Sequence, residues 1–218
     1  PLAPERSILI DCSTVDVDSA IEAADMAKKR GIKSIDSPVS GGVVGAEAGT
    51  LTFMAGGDNE SFNTVKPLFE IMGQKVVLCG DNGSGQAAKI CNNMILGISM
   101  IGVCEAFALA DQLNLDRQKM FDVVSTSSGY CWSLNTYCPA PGVGPVSPSD
   151  NAYNPGFASD LLLKDLTLAQ AAAQSKDVFT PLGAHAQKLY SNFVRTGGSG
   201  KDFSAILNFL KINNLDES

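Results

Sequence analysis

Apolar and polar positions follow two different rhythms along the chain, and the rhythm changes near residue 86. The short run Ser7-Ile8-Leu9-Ile10-Asp11 predicts a buried strand. Cys12-Ser13-Thr14 closes it, and Asp16 and Asp18 stand where the first turn of a helix favours acidic side chains. Ala20 to Arg30 predicts that helix, stopped at Gly31, and Lys33 to Ser37 predicts a second strand ending at Pro38. Strand, helix, strand at this spacing is the βαβ rhythm of a parallel sheet. Two further strands are expected at Thr50 to Ala55 and Lys75 to Cys79, with a helix from Asn59 to Met72 between them.

From Gln86 onward the period becomes helical. Segments 86–113, 116–125, 158–175, 181–194 and 203–211 all predict helices. The fold class is therefore α/β followed by all-α, with residues 1–82 as the end of a sheet domain and 83–218 as a helical domain. The uncharged run from Ile90 to Cys104 is interrupted by Asn92, Asn93, Gly97, Ser99 and Gly102. It falls short of the ~20 apolar residues a membrane span needs, so a buried core helix is expected. Helix 86–113 is apolar all round and must be covered by something, whether core or a second copy. Between Cys138 and Pro155 the prolines at 139, 141, 145, 148 and 155 predict an irregular loop.

Composition narrows the possible partners. With 218 residues the chain can bury roughly 70% of its unfolded surface. A net charge of −7 and no basic stripe argue against nucleic acid and anionic membranes. The six cysteines form no C-x-x-C pair and no ligand spacing with His185, which argues against a metal site and for a reducing compartment. Cys91 and Cys104 read as core residues of the long helix. No targeting segment is visible and no methionine opens the chain, so it is expected to begin partway through a longer protein.

The stretch Gly80-Asp81-Asn82-Gly83-Ser84-Gly85-Gln86-Ala87-Ala88-Lys89-Ile90-Cys91-Asn92-Asn93 carries the strongest chemical signal. Its glycines permit a tight turn and close approach of other groups. Lys89 and Asn93 are one helical turn apart and share a face. A lysine near a helix N-terminus among Ala87, Ala88, Ile90 and Cys91 is disfavoured as a cation, and a neutral amine can accept a proton. The glycines invite a dinucleotide reading, with Glu105 beyond them. Their spacing is G-x-x-G-x-G rather than G-x-G-x-x-G, however, and Glu105 lies inside one continuous helical pattern instead of ending a second strand. This turn is not read as a pyrophosphate site. Ser37-Pro38-Val39-Ser40-Gly41-Gly42 follows the second strand, where successive backbone N–H groups suit a carboxylate. Thr14 and Ser40 both fall at carboxyl ends of strands, where open sheets take ligands. Lys164-Asp165, taken alone, reads as a solvated charge pair.

Together these segments resemble the β-hydroxyacid dehydrogenase family over nearly the whole chain. Asp11-Cys12-Ser13-Thr14 resembles its D-x-S-T element, and Asp36 to Gly42 its D-x-P-V-S-G-G substrate loop. Gly80 to Asn93 matches its G-x-x-G-x-G-x-x-x-K-x-x-x-N motif. Asn154-Pro155-Gly156-Phe157 with Lys164-Asp165-Leu166 matches its K-D-L region. The resemblance implies the C-terminal portion of a Rossmann-type dinucleotide-binding domain plus a helical domain like that of 6-phosphogluconate dehydrogenase. The family's nucleotide half with G-x-G-x-x-G is expected upstream of residue 1.

The implied cofactor is NAD and the implied substrate a small hydroxy acid, with 3-hydroxyisobutyrate oxidised to methylmalonate semialdehyde in valine breakdown. Lys89 is implied as general base and Asn93 as its companion. Ser40, Gly41 and Gly42 are implied in substrate binding, and Thr14 and Lys164 at the nicotinamide. A homodimer or higher homo-oligomer is expected from the all-apolar helix 86–113, and the resemblance implies the mitochondrial matrix, or the cytoplasm of a bacterium. The alternatives are a tartronate- or succinic-semialdehyde reductase, or a non-catalytic helical oligomerisation module.

Overall fold

The computed structural model describes Pro4 and residues 7–216, with side chains through Lys211. It forms two compact units, the first ending at Asn92 and the second beginning at Asn93. In the first unit β1 (Ile8–Asp11), α1 (Val17–Lys28) and β2 (Lys33–Asp36) make the expected βαβ step, with β1 and β2 parallel. A two-residue strand β3 (Val39–Ser40) and a short helix α2 (Gly42–Glu47) follow. Then come β4 (Leu51–Gly56), α3 (Asn59–Met72) and β5 (Gly73–Gly80).

The sheet is mixed rather than parallel throughout. β4 runs parallel to β5 but meets β3 antiparallel, and it touches antiparallel β2 at Asp36–Gly56. β2 and β3 run the same way, and the reversal comes between Ser40 and Leu51, a connection shorter than the dozen or more residues that a parallel crossover needs. Ile35, Phe53, Ala55, Phe62, Val65 and Phe69 form the core between sheet and helix. Phe53 and Phe69 stack with ring centroids 4.7 Å apart.

The long helix α4 (Ser84–Gln112) opens at the glycine turn and contains the division between the units. In the second unit it is followed by α5 (Arg117–Val124), α6 (Trp132–Asn135), α7 (Ser159–Ser175), α8 (Pro181–Phe193) and α9 (Ile206–Asp216). Met100, Cys104 and Phe107 of α4, Leu162 and Leu166 of α7, and Tyr190 of α8 are fully buried in one core with Phe203, Ile206 and Leu207. Although α4 has the length and composition of a membrane span, this face is spent on the protein core. The opposite stripe, with Cys91, Ile95, Gly102 and Leu109, is exposed. Cys91 is thus not the core residue expected, because it lies off the buried stripe that runs through Met100, Cys104 and Phe107.

The proline-rich segment is irregular, as expected, but closely tied. Ser147 and Ser149 hydroxyls both donate to the Cys138 carbonyl, at 2.7 and 3.0 Å, and Tyr153 Oη donates to the Pro139 carbonyl at 2.9 Å. A short 3-10 turn, Pro148–Asn151, sits within it. Asp202, completely buried, gathers this region. Its carboxylate accepts from the N–H groups of Gly156 and Phe157, from Tyr137 Oη at 2.8 Å, and from the Ser204 N–H and hydroxyl. A buried carboxylate with this many donors is satisfied and structural.

Candidate active site

The glycine turn is shaped by one carboxylate. Asp36 ends β2 and is 5% exposed. Its Oδ1 accepts the Gly83 N–H at 2.7 Å and its Oδ2 the Gln86 N–H at 3.1 Å. Two of the N–H groups that α4 leaves unpaired at its start are thereby satisfied, and the negative charge faces the positive end of the helix. Burial nevertheless raises the Asp36 carboxyl above the usual range, with the amide hydrogen bonds opposing it. Gly83 has φ +90°, and Gly85 packs so closely on the Met54 carbonyl and Asp36 that a side chain has no room. The turn is therefore no phosphate cradle: its amides already hold Asp36, which would repel a pyrophosphate.

Gln86, fully buried in the same turn, reaches the loop between β1 and α1. Its Nε2 donates to the Ser13 carbonyl at 2.8 Å and its Oε1 accepts from the Val15 N–H at 3.1 Å. The Ser13 N–H donates to Asp11 Oδ1 at 2.9 Å. Half-buried Thr14 lies between these anchors. Lys89 follows Gln86 by three residues and is 7% exposed. Lys89 thus lies in the second turn of α4 rather than the first, and it is buried.

The Ser40-Gly41-Gly42 segment is more structured than a plain loop. Ser40 closes β3 and pairs in register with Thr52 of β4, and Gly41 caps α2, which starts at Gly42. Gly41 and Gly42 have φ +136° and +62° and are exposed. Beside them, Ser37 is fully buried, and its hydroxyl has no hydrogen-bond partner among the described residues.

The second unit begins with Asn93, which is 1% exposed. Its Nδ2 donates to Asp165 Oδ2 at 2.5 Å. Asp165 lies on the inward stripe of α7 with Leu162, Leu166 and Ala169. Lys164, one position round the helix, keeps 46% of its side chain exposed and sets Nζ 3.4 Å from Asp165 Oδ1. The solvated pair expected from sequence is therefore only half solvated. A carboxylate one residue off a polar face lands on the apolar stripe, and here it is held there by the Asn93 amide.

Of the residues singled out from sequence, Thr14, Ser40, Gly41, Gly42 and Lys89 belong to the first unit, and Asn93 and Lys164 to the second. Lys89 and Asn93 are four residues apart on one uninterrupted helix, both buried. Asp36, Gln86 and Asp165 were not assigned as site residues. The only available signal was their place inside the motifs. Among the described residues no cluster of three His, Cys, Asp or Glu could hold a metal.

Residues 1–80 match the family model described as the NAD binding domain of 6-phosphogluconate dehydrogenase. Residues 83–210 match the model described as NAD-binding of NADP-dependent 3-hydroxyisobutyrate dehydrogenase. A 3-hydroxyisobutyrate dehydrogenase of Pseudomonas aeruginosa is 47% identical over 203 residues, covering 92% of this chain and 68% of that protein. The mitochondrial 3-hydroxyisobutyrate dehydrogenase of Bos taurus is 47% identical over 205 residues, covering 94% of this chain and 61% of that one. The solved structure of a Mycobacterium tuberculosis 3-hydroxyisobutyrate dehydrogenase with L-serine superposes with a TM-score of 0.92 at 43% identity. That match covers 96% of this chain and 72% of the other.

Proposed function

The chain belongs to the β-hydroxyacid dehydrogenase family, and from that premise we propose that it serves the reversible, NAD-dependent oxidation of 3-hydroxyisobutyrate to methylmalonate semialdehyde. The observation that carries the reading is Lys89, a buried amine set on a helix whose first turn is bound to the ends of both β1 and β2. Such a group suits general-base work, since it can take a proton without leaving its place.

In this mechanism the substrate carboxylate is held by the Ser40 hydroxyl and the Gly41 and Gly42 N–H groups. Lys89 takes the proton of the substrate hydroxyl as the carbon–oxygen double bond forms. Asn93, its amide oriented by Asp165, directs the hydroxyl or Lys89 itself. Thr14 and Lys164 are assigned to the nicotinamide end of the cofactor. When bound, the cofactor supplies the acceptor for the hydride that leaves the hydroxyl-bearing carbon. In the reverse direction protonated Lys89 returns its proton to the carbonyl oxygen.

Nicotinamide reduction by the complete protein with 3-hydroxyisobutyrate, compared with its Lys89→Ala variant, tests the proposal. A general base contributes on the order of 10²–10⁴ in rate, so a loss of that size with cofactor binding retained is expected. Equal turnover by the variant would remove Lys89 from the mechanism. No turnover by the wild type would move the substrate to tartronate or succinic semialdehyde.

Relatives from eukaryotes such as Bos taurus are named mitochondrial, whereas the Pseudomonas aeruginosa relative is not. We accordingly assign the reaction to the mitochondrial matrix for a eukaryotic source and to the cytoplasm for a bacterial one.

A further inference from the structure

Gln86 is completely buried, yet both ends of its amide are used on one short piece of main chain. The Ser13 carbonyl and the Val15 N–H are the two backbone groups that flank Thr14. A neighbouring β-strand pairs with a residue in the same way, with one donor and one acceptor on either side of it. Here a side chain supplies that pairing where no strand runs. Turning the amide over would set donor against donor and acceptor against acceptor, so the two bonds select a single orientation.

The backbone of the same residue is also committed, its N–H donating to Asp36 Oδ2 at 3.1 Å. One residue thus ties together the exit of β1, the exit of β2 and the helix that carries Lys89 three positions later. On its other side the loop is held by Asp11 through the Ser13 N–H, at 2.9 Å. Nothing in a space-filling role calls for this pattern, since an apolar side chain of the same length would fill the volume without orienting Thr14.

We propose that Gln86 is a positioning residue that fixes the Thr14 loop relative to Lys89, and through it the nicotinamide end of the cofactor. What Thr14 touches rests on the dehydrogenase reading; the clamp itself does not.

The test is equilibrium binding of NADH and NADPH to the complete protein, followed by nicotinamide fluorescence. It needs no knowledge of the hydroxy acid. Gln86→Ala removes both bonds and is expected to weaken cofactor binding by roughly tenfold, the scale of a lost buried hydrogen-bond pair. Gln86→Glu keeps the shape. As a carboxylate it accepts from Val15 but faces the Ser13 carbonyl with a second acceptor; protonated, it regains a donor. Its binding deficit relative to wild type is therefore expected to shrink as pH falls from about 8 to about 5, toward the carboxyl titration range.

A residue that only fills space gives no such pH dependence. Gln86→Ala binding within twofold of wild type, or a Gln86→Glu deficit flat with pH, overturns the proposal. Should Gln86→Ala fail to fold, the Gln86→Glu profile decides. A wild type that binds NADH but does not oxidise 3-hydroxyisobutyrate defeats the substrate assignment alone, and the Gln86 comparison still reads out. A wild type that binds neither cofactor overturns both.

Discussion

At the scale of single residues, the buried polar groups carry the information. Lys89, Asn93 and Asp165 are 7%, 1% and 3% exposed. Each would be costly in an apolar setting unless it were partnered or put to use. Asn93 donates to Asp165, so Asp165→Ala removes a buried hydrogen bond. An unfolding midpoint lowered by the equivalent of about 1–3 kcal/mol is expected in denaturant titration, with Asp165→Asn milder because a carbonyl acceptor remains. A variant as stable as wild type would show that the bond at 2.5 Å contributes nothing. Lys89 was legible in the sequence because it is a lone charge ahead of an uncharged run. Asp165 was not, because a Lys-Asp dipeptide looks alike whether it lies on a wet face or straddles an apolar stripe. Only the position of Leu162 and Leu166 beside it separates the two cases. Gln86 carries no charge and no periodic signal at all, and its role exists only through chain that lies more than seventy residues earlier.

At the scale of elements, helices were the most legible because their ends are written in local chemistry. Asp16 caps α1 and Asp58 caps α3 by the same device: each carboxylate accepts both the N–H and the hydroxyl of the serine three residues on. These bonds hold both carboxyls below their ordinary value of 3.8. Because the folded value is the lower one, each cap's contribution is complete above pH 3.8 and disappears as pH falls through the folded value. Asp58→Asn keeps a capping oxygen but cannot titrate. Its thermal midpoint is therefore expected to fall less steeply than that of wild type between about pH 4 and pH 2. Parallel slopes would mean that the Asp58 cap is not a source of acid sensitivity. The elements that escaped sequence reading are the short ones. Val39–Ser40 is too brief for an alternation to register, and Gly42–Glu47 opens on a glycine that ordinarily signals a loop. They matter because they turn the chain back on itself and make the sheet mixed.

For the molecule as a whole, the order of α/β first and helices afterwards was readable from periodicity, and the family from four motifs in sequence. The exposed face of α4 was not, because an all-apolar helix gives no clue to which stripe will meet the core. Ile95 and Leu109 on that stripe are 66% and 59% exposed, with Leu113 just beyond at 67%. A row of large apolar groups left in water favours association with a second copy. Light scattering of the complete protein is expected to give a dimer or larger, and Leu109→Asp to shift it toward monomer. A monomeric wild type at micromolar concentration would sink the idea.

The Asp36 clamp also bears on how the protein ages. Asn82 and Gly83 form the dipeptide most prone to lose ammonia, through attack of the glycine nitrogen on the asparagine side chain, and asparagine is among the heat-labile residues. Here the Gly83 N–H is committed to Asp36 at 2.7 Å, and Asn82 Nδ2 is committed to the Ser34 carbonyl at 2.9 Å. The bonds around the start of α4 thus occupy both groups that take part in that decay. The turn is chemically durable while folded and becomes perishable each time the chain opens.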